Sequence, residues 1–181
     1  MKKIALSAIL FAFCAIIYAQ EDSRFSTDGK SVTWQNVYQT QLDSAGVANG
    51  LLSSGHFDGV IPTKDGFTCR VIPHEADYRG AGLKRGLVVM YISTSELEGR
   101  AVVQIRDGRY RVTVDEIVFT TNITGGGGVF QQGERTALER YALNSGGDFR
   151  RAFWNKGASP VLDYDLYSLF EIREPDQDDE W

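Results

Sequence analysis

Apolar positions along this chain fall into runs of three kinds, and each kind predicts a different element. The first is continuous. Ile4 to Ile17 is apolar apart from Ser7, follows Lys2-Lys3, and gives way through Tyr18-Ala19 to the polar Gln20-Glu21-Asp22. A positive start, a short apolar core and a small residue make a secretory signal peptide, and the run is shorter than the roughly 20 residues of a membrane-spanning helix. Residues 1–19 are therefore expected to be removed. The protein is expected to be secreted or periplasmic, with no transmembrane span after that removal.

The second kind alternates or is strand-rich. Ser31 to Leu42 carries Val32, Trp34, Val37, Tyr38 and Leu42 among polar residues and predicts a strand. Gly66 to Ile72 predicts another, ended by Pro73, with residues 74–86 as a loop. Leu87 to Ser93 is almost wholly apolar and predicts a strand at the centre of a sheet. Ala101–Arg106 and Arg109–Phe119 flank Asp107-Gly108, the residue pair that two-residue hairpin turns favour because both positions take positive φ. A two-residue turn pairs Ile105 with Tyr110, Val103 with Val112 and Ala101 with Val114 on one face. It pairs Gln104 with Arg111, Val102 with Thr113 and Arg100 with Asp115 on the other. Beyond Val114 the apolar phase slips to Ile117 and Phe119, which predicts a β-bulge near Asp115-Glu116.

The third kind has helical spacing. Ser44 to Ser54 places Val47, Leu51 and Leu52 on one side, with Asp43 or Ser44 as cap. Glu134 to Leu143 does the same with Leu138, Tyr141 and Ala142. Ser159-Pro160 reads as N-cap and first helical position of a helix carrying Leu162, Leu166, Leu169 and Phe170. Between these lie a loop at Thr121–Gly133 with four successive glycines (Gly125–Gly128) and an aromatic patch, Phe149, Phe153 and Trp154. Pro175–Glu180 is an acidic tail expected to be disordered. Strands grouped apart from helices predict an α+β fold, a curved antiparallel sheet with helices packed on one face. The expected divisions are a signal peptide (1–19), a sheet domain (20–120), a glycine-rich and helical extension packing on it (121–174) and the acidic tail (175–181).

The run Asp107-Gly108-Arg109-Tyr110-Arg111-Val112-Thr113-Val114 closes the predicted sheet. With the leading signal peptide and the order of elements over residues 31–120, it resembles an uncharacterised family of secreted bacterial proteins. That family is described as a domain of unknown function with a fold like the TATA-box-binding protein. The resemblance implies a curved sheet backed by helices. It implies no catalytic residues, and a fold name carries no DNA binding with it.

Charge and chemistry narrow the reading further. The chain holds 19 Lys and Arg against 24 Asp and Glu, a net charge of −5 that becomes about −7 without Lys2 and Lys3. An acidic chain is a poor nucleic-acid binder. Of the two cysteines, Cys14 lies in the apolar leader, where its surroundings make no lipidation box. Cys69 stands alone in Phe67-Thr68-Cys69-Arg70-Val71 and is expected to be a buried thiol. His56 and His74 have no metal-site spacing, and His74-Glu75-Ala76-Asp77 reads as solvated loop. No Gly-x-Ser-x-Gly elbow is present. The glycine runs lack the Lys-Ser/Thr of a phosphate loop and the spacing of a dinucleotide loop. Asp163 and Asp165 read as part of a solvated helix face. No catalytic residue, metal site or cofactor is therefore expected, and whether the chain is an enzyme is left open, with a non-enzymatic role favoured.

One surface stands out. Gln104, Arg106, Arg109 and Arg111 share a sheet face and its turn, and the arginine fork suits a carboxylate or phosphate. The leading expectation is a non-enzymatic binding module that holds an unknown protein or a small anionic ligand, through this face or through the aromatic patch. The alternatives are an envelope glycan or lipid hydrolase whose carboxylates meet in the fold, and a carrier of a small apolar ligand.

Overall fold

Strand-forming residues alternate between burial and exposure along most of this chain, and one sheet results. The computed structural model describes residues 23–124, 131–155 and 157–172. The predicted signal peptide, Cys14, the Gly125–Gly128 run and the acidic tail lie outside the described residues. Seven strands are seen: β1 (Phe25–Thr27), β2 (Val32–Gln39), β3 (Phe57–Thr63), β4 (Gly66–Glu75), β5 (Ser95–Arg106), β6 (Arg109–Thr121) and β7 (Arg135–Ala137). They form one curved antiparallel sheet in the order β1-β2-β6-β5-β4-β3, with β7 also on β6. The described helices are α1 (Ser44–Ser53), α2 (Met90–Ser93), α3 (Leu138–Ala142), α4 (Arg151–Asn155) and α5 (Ala158–Phe170). The fold is α+β, as the grouping of elements predicts.

The β5–β6 hairpin carries the predicted register residue for residue, from Arg106 opposite Arg109 to Arg100 opposite Asp115. Asp107 and Gly108 take φ of 43° and 74°, the left-handed values that a two-residue turn with this twist requires. The bulge is also where the apolar phase places it. Arg100 faces Asp115 but Glu98 faces Val118, so Gly99 is opposed by both Glu116 and Ile117, and Glu116 turns to φ 50°. That extra residue returns Ile117 and Phe119 to the face occupied by Tyr110, Val112 and Val114, and all five are buried. Gly99 leaves the room this needs: a Cβ there would stand 3.1 Å from Val114 Cγ1 and 3.3 Å from Asp115 O.

One face of the sheet is thus apolar. Val32, Trp34, Tyr38, Phe67, Cys69, Val71, Leu97, Ala101 and Val103 join the β6 residues on it. Helix α5 lies over this face with Leu162, Leu166 and Phe170 inward. The Phe170 ring stands 4.7 Å from Phe57 and 6.3 Å from Trp34. Cys69 is buried and free, and burial, with Asp58 adding to it, pushes its thiol pKa up to about 11.

Several predicted elements are corrected. The apolar run Leu87–Ser93 is not a strand: it passes from a 3₁₀ turn (Arg85–Leu87) through extended residues into α2. Both neighbours of β5 are already β4 and β6, which leaves no central slot. Pro73 does not end β4. It sits at a break in the β4–β5 register, between Val71 and His74, where no ladder N–H is needed. The residues expected to form one helix at 134–143 begin as β7, because β2 covers β6 only as far as the Trp34–Val114 pair and leaves the rest of that edge open. Helix α5 starts two residues early, at Ala158, with Gly157 (φ 79°) in the cap position in place of Ser159.

If this one-sided core holds the fold, Leu166→Ala should lower the unfolding free energy by about 2–5 kcal/mol, through lost burial and a residual cavity. Ile61→Ala, on the exposed surface of β3, should shift it by less than about 0.5 kcal/mol. Urea unfolding midpoints of the two variants check this.

Candidate functional site

Among the described residues no helix covers the face of the sheet turned away from α5, and its side chains follow from the same period of two that fills the core. Across β2, β6 and β5, Val37 faces Arg111 and Arg111 faces Gln104. In the next row Gln39 faces Arg109, and Arg109 faces Arg106. Val37, Gln104, Arg106, Arg109 and Arg111 line a shallow cup of about 270 Å³. Val37 is 48% exposed there, an apolar spot among cations. All four residues predicted from the sequence are thereby brought together.

The hydrogen bonding gives the cup one polarity. Arg111 donates from Nε and Nη2 to Gln104 Oε1, at 3.1 and 2.6 Å. That pair fixes the guanidinium plane and uses the amide's acceptor, so Gln104 is left with its NH₂ donors. Among the described residues the only carboxylate within 4 Å of the three arginines is Asp65, 3.9 Å from Arg106. Arg100 on the same face shows the contrast. It is held in a fork by Asp115 at 2.8 and 2.6 Å, with Glu116 at 3.5 Å. One end of the face is neutralised by its own acids, and the other presents mainly donors, with Asp65 at its margin.

A larger cavity of about 580 Å³ lies between the end of α1, the end of β4 and the C-terminal half of α5. Leu51, His56, His74, Asp77, Asp165 and Ser168 are among its lining. The two histidine rings are 6.2 Å apart. His74 is not in a loop, as expected, but in β4, and Asp165 is not on a solvated face. Its carboxylate is 4% exposed and meets His74 Nε2 at 2.9 Å and the Asp77 N–H at 2.8 Å. His74 Nδ1 lies 3.1 Å from the Ile72 carbonyl. A carbonyl and a carboxylate only accept, so this geometry favours the doubly protonated, charged ring. Burial opposes that charge, but the Asp165 hydrogen bond and charge outweigh it and raise the histidine pKa above its usual value.

Asp163 is likewise a tie and not a solvated group. It accepts from Trp34 Nε1 at 2.8 Å and Arg24 Nη1 at 2.6 Å. The available sequence signal was position. Asp165 falls three residues after Leu162 and four before Leu169, on the apolar stripe of α5, where a carboxylate needs a partner.

The aromatic patch also assembles, though inward. Phe149, Phe153 and Trp154 have ring centroids 4.9–5.2 Å apart. Phe153 is buried against Phe25 at 5.2 Å, with Phe149 and Trp154 half-buried over it. Among the described residues no three His, Cys, Asp or Glu side chains are grouped to hold a metal ion. No described helix is long and apolar enough to cross a membrane.

No family model and no curated protein matches the sequence. Two solved structures are similar in fold. One is a TBP-like protein from Parabacteroides distasonis, with TM-score 0.43 and 10% identity over 79% of this chain and 88% of that one. The other is a DUF4468 family protein from Bacteroides ovatus, with TM-score 0.42 and 14% identity over 83% of this chain and 92% of that one.

The His74–Asp165 tie has a signed pH dependence. A histidine pKa raised by folding contributes stability that is fully present below the unfolded value of about 6.5 and lost as pH rises through the folded value. Wild-type protein should therefore lose stability above about pH 6.5 relative to His74→Gln. The variant should be less stable at pH 5.5 and approach the wild type toward pH 9. Paired urea titrations across that range check it.

Proposed function

We propose that this chain is a non-enzymatic binding module for an anionic group, working in the cell envelope or outside the cell, with the arginine cup as its site. The observation that carries this reading is the cup's polarity. Arg106, Arg109, Arg111 and the free amide of Gln104 offer donors, with one distant carboxylate, Asp65, in reach. The Arg111 guanidinium, its plane fixed by Gln104, suits the paired oxygens of a carboxylate or phosphate. Val37 gives an apolar surface on which the body of a ligand or a partner residue can rest. The extracellular setting rests on the leader-like residues 1–19.

The larger cavity supports a second reading, a small ligand carried or hydrolysed there. Its volume is in the range of small-molecule sites, and its lining mixes Leu51, Leu169 and Ile172 with Glu75, Asp77 and Glu171.

The cup reading predicts a selective response. In titrations with inorganic phosphate and with citrate, followed by NMR of the arginine Nε–Hε groups, the signals of Arg109 and Arg111 should move while that of Arg100, held by Asp115, stays. Arg109→Ala with Arg111→Ala should weaken binding at least about tenfold without lowering the thermal midpoint, since each charge-assisted bond contributes roughly 1.5–3 kcal/mol. Uniform shifts on all arginines, or full affinity in the double variant, would contradict it.

A further inference from the structure

We infer that the connection from Ala76 to Thr94 is a docking loop for an anionic lipid surface. The apolar run that makes no strand is the starting point. Val88 and Val89 have φ, ψ of −90°, 139° and −59°, 141°, close to the polyproline II helix with its three residues per turn. That period sends Leu87 and Met90 out on the same side. Burial agrees: Leu87 is 67% and Met90 50% exposed, while Val88 and Ile92 are buried as anchors. The loop is held in shape. Leu83 N–H donates to the Tyr78 carbonyl at 2.9 Å, Leu87 N–H to that of Lys84 at 2.8 Å, and Ser93 N–H to that of Val89 at 3.2 Å. Two large apolar side chains are therefore displayed by a formed structure.

Charge identifies the occupant. Ala76 to Thr94 contains Arg79, Lys84 and Arg85 against one acid, Asp77, at its start, in a chain of net charge −5. All three cations are exposed, and among the described residues none has a carboxylate within 4 Å. Arg79 lies over the Tyr78 ring at 5.8 Å, and Arg85 reaches only the Ser93 carbonyl at 3.5 Å. Two apolar tips ringed by unpaired cations are too small for the core of a protein interface, which buries about 1,200–2,000 Å² in total. A bilayer surface fits them. Its interface accepts a shallow apolar insertion, and each basic residue near anionic headgroups adds about a fivefold gain in partition.

This inference is independent of the arginine cup. The loop leads into the start of β5 and the cup lies at its end, about 35 Å away at strand rise.

Flotation of the chain from Gln20, which holds every described element, with phosphatidylcholine vesicles and with vesicles containing phosphatidylglycerol tests the proposal. Binding to the anionic vesicles alone is expected, lost in 0.5 M salt. Lys84→Glu with Arg85→Glu should reduce it at least about tenfold, and Leu87→Ser with Met90→Ser by a similar factor, both with unchanged thermal midpoints. Arg109→Ala with Arg111→Ala should leave it intact. No flotation with anionic vesicles, or flotation untouched by both loop pairs, overturns it. Loss in the cup variant alone would assign the membrane contact to the cup and overturn the loop.

Discussion

The docking of α5 on one face of the sheet is the interaction on which the rest of this structure depends. Leu162, Leu166 and Phe170 supply the apolar contact, but apolar contact alone leaves a helix free to slide and turn. Four polar ties remove that freedom. Trp34 on β2 donates to Asp163, Tyr38 on β2 to the Tyr167 carbonyl, Tyr110 on β6 to the Phe170 carbonyl, and His74 on β4 to Asp165. They come from three strands and run from the middle of the helix, at Asp163, to its C-terminal end, at Phe170. Each partner is wholly or partly buried, so a slip would leave a polar group unmatched away from water. The helix is held in register along the strands and across them.

Burying one face fixes the character of the other. Strand period two puts every second residue outward, and with no helix there those residues are polar, ion-paired or free to bind. Arg100, Asp115 and Glu116 answer one another, as do Arg135 and Glu98. The cup at the hairpin end differs in gathering three arginines, one of them held by Gln104, with few acids of its own. The Ala76–Thr94 connection repeats the theme at the opposite end of β5, with cations beside exposed apolar side chains. Positive charge thus gathers at two separate ends of an acidic protein.

How much of this was legible in the sequence depended on whether the signal was local. The Asp107-Gly108 turn sets its own register, so the hairpin, its bulge and the shared face of Gln104, Arg106, Arg109 and Arg111 could be read directly. The β3 strand could not, because Asp58, Gly59 and Pro62 give an edge strand little apolar pattern. The Leu87–Ser93 run had strand composition, but whether a slot existed in the sheet was decided by β4 and β6. β7 was likewise recruited by an edge that β2 leaves uncovered. The partners of Asp163 and Asp165 are some 90–140 residues away in sequence, and no local pattern names them, though the place of Asp165 on an apolar stripe marks it as a carboxylate in need of one.

Amide hydrogen exchange across residues 23–172 tests the central claim most directly. If α5 docking holds the sheet together, the amides of α5 from Leu162 to Phe170 should exchange in the same slowest class as those of β5 and β6, through global unfolding. Exchange of α5 through an opening of its own, with β5 and β6 still fully protected, would show that the sheet stands without the helix and would contradict the account.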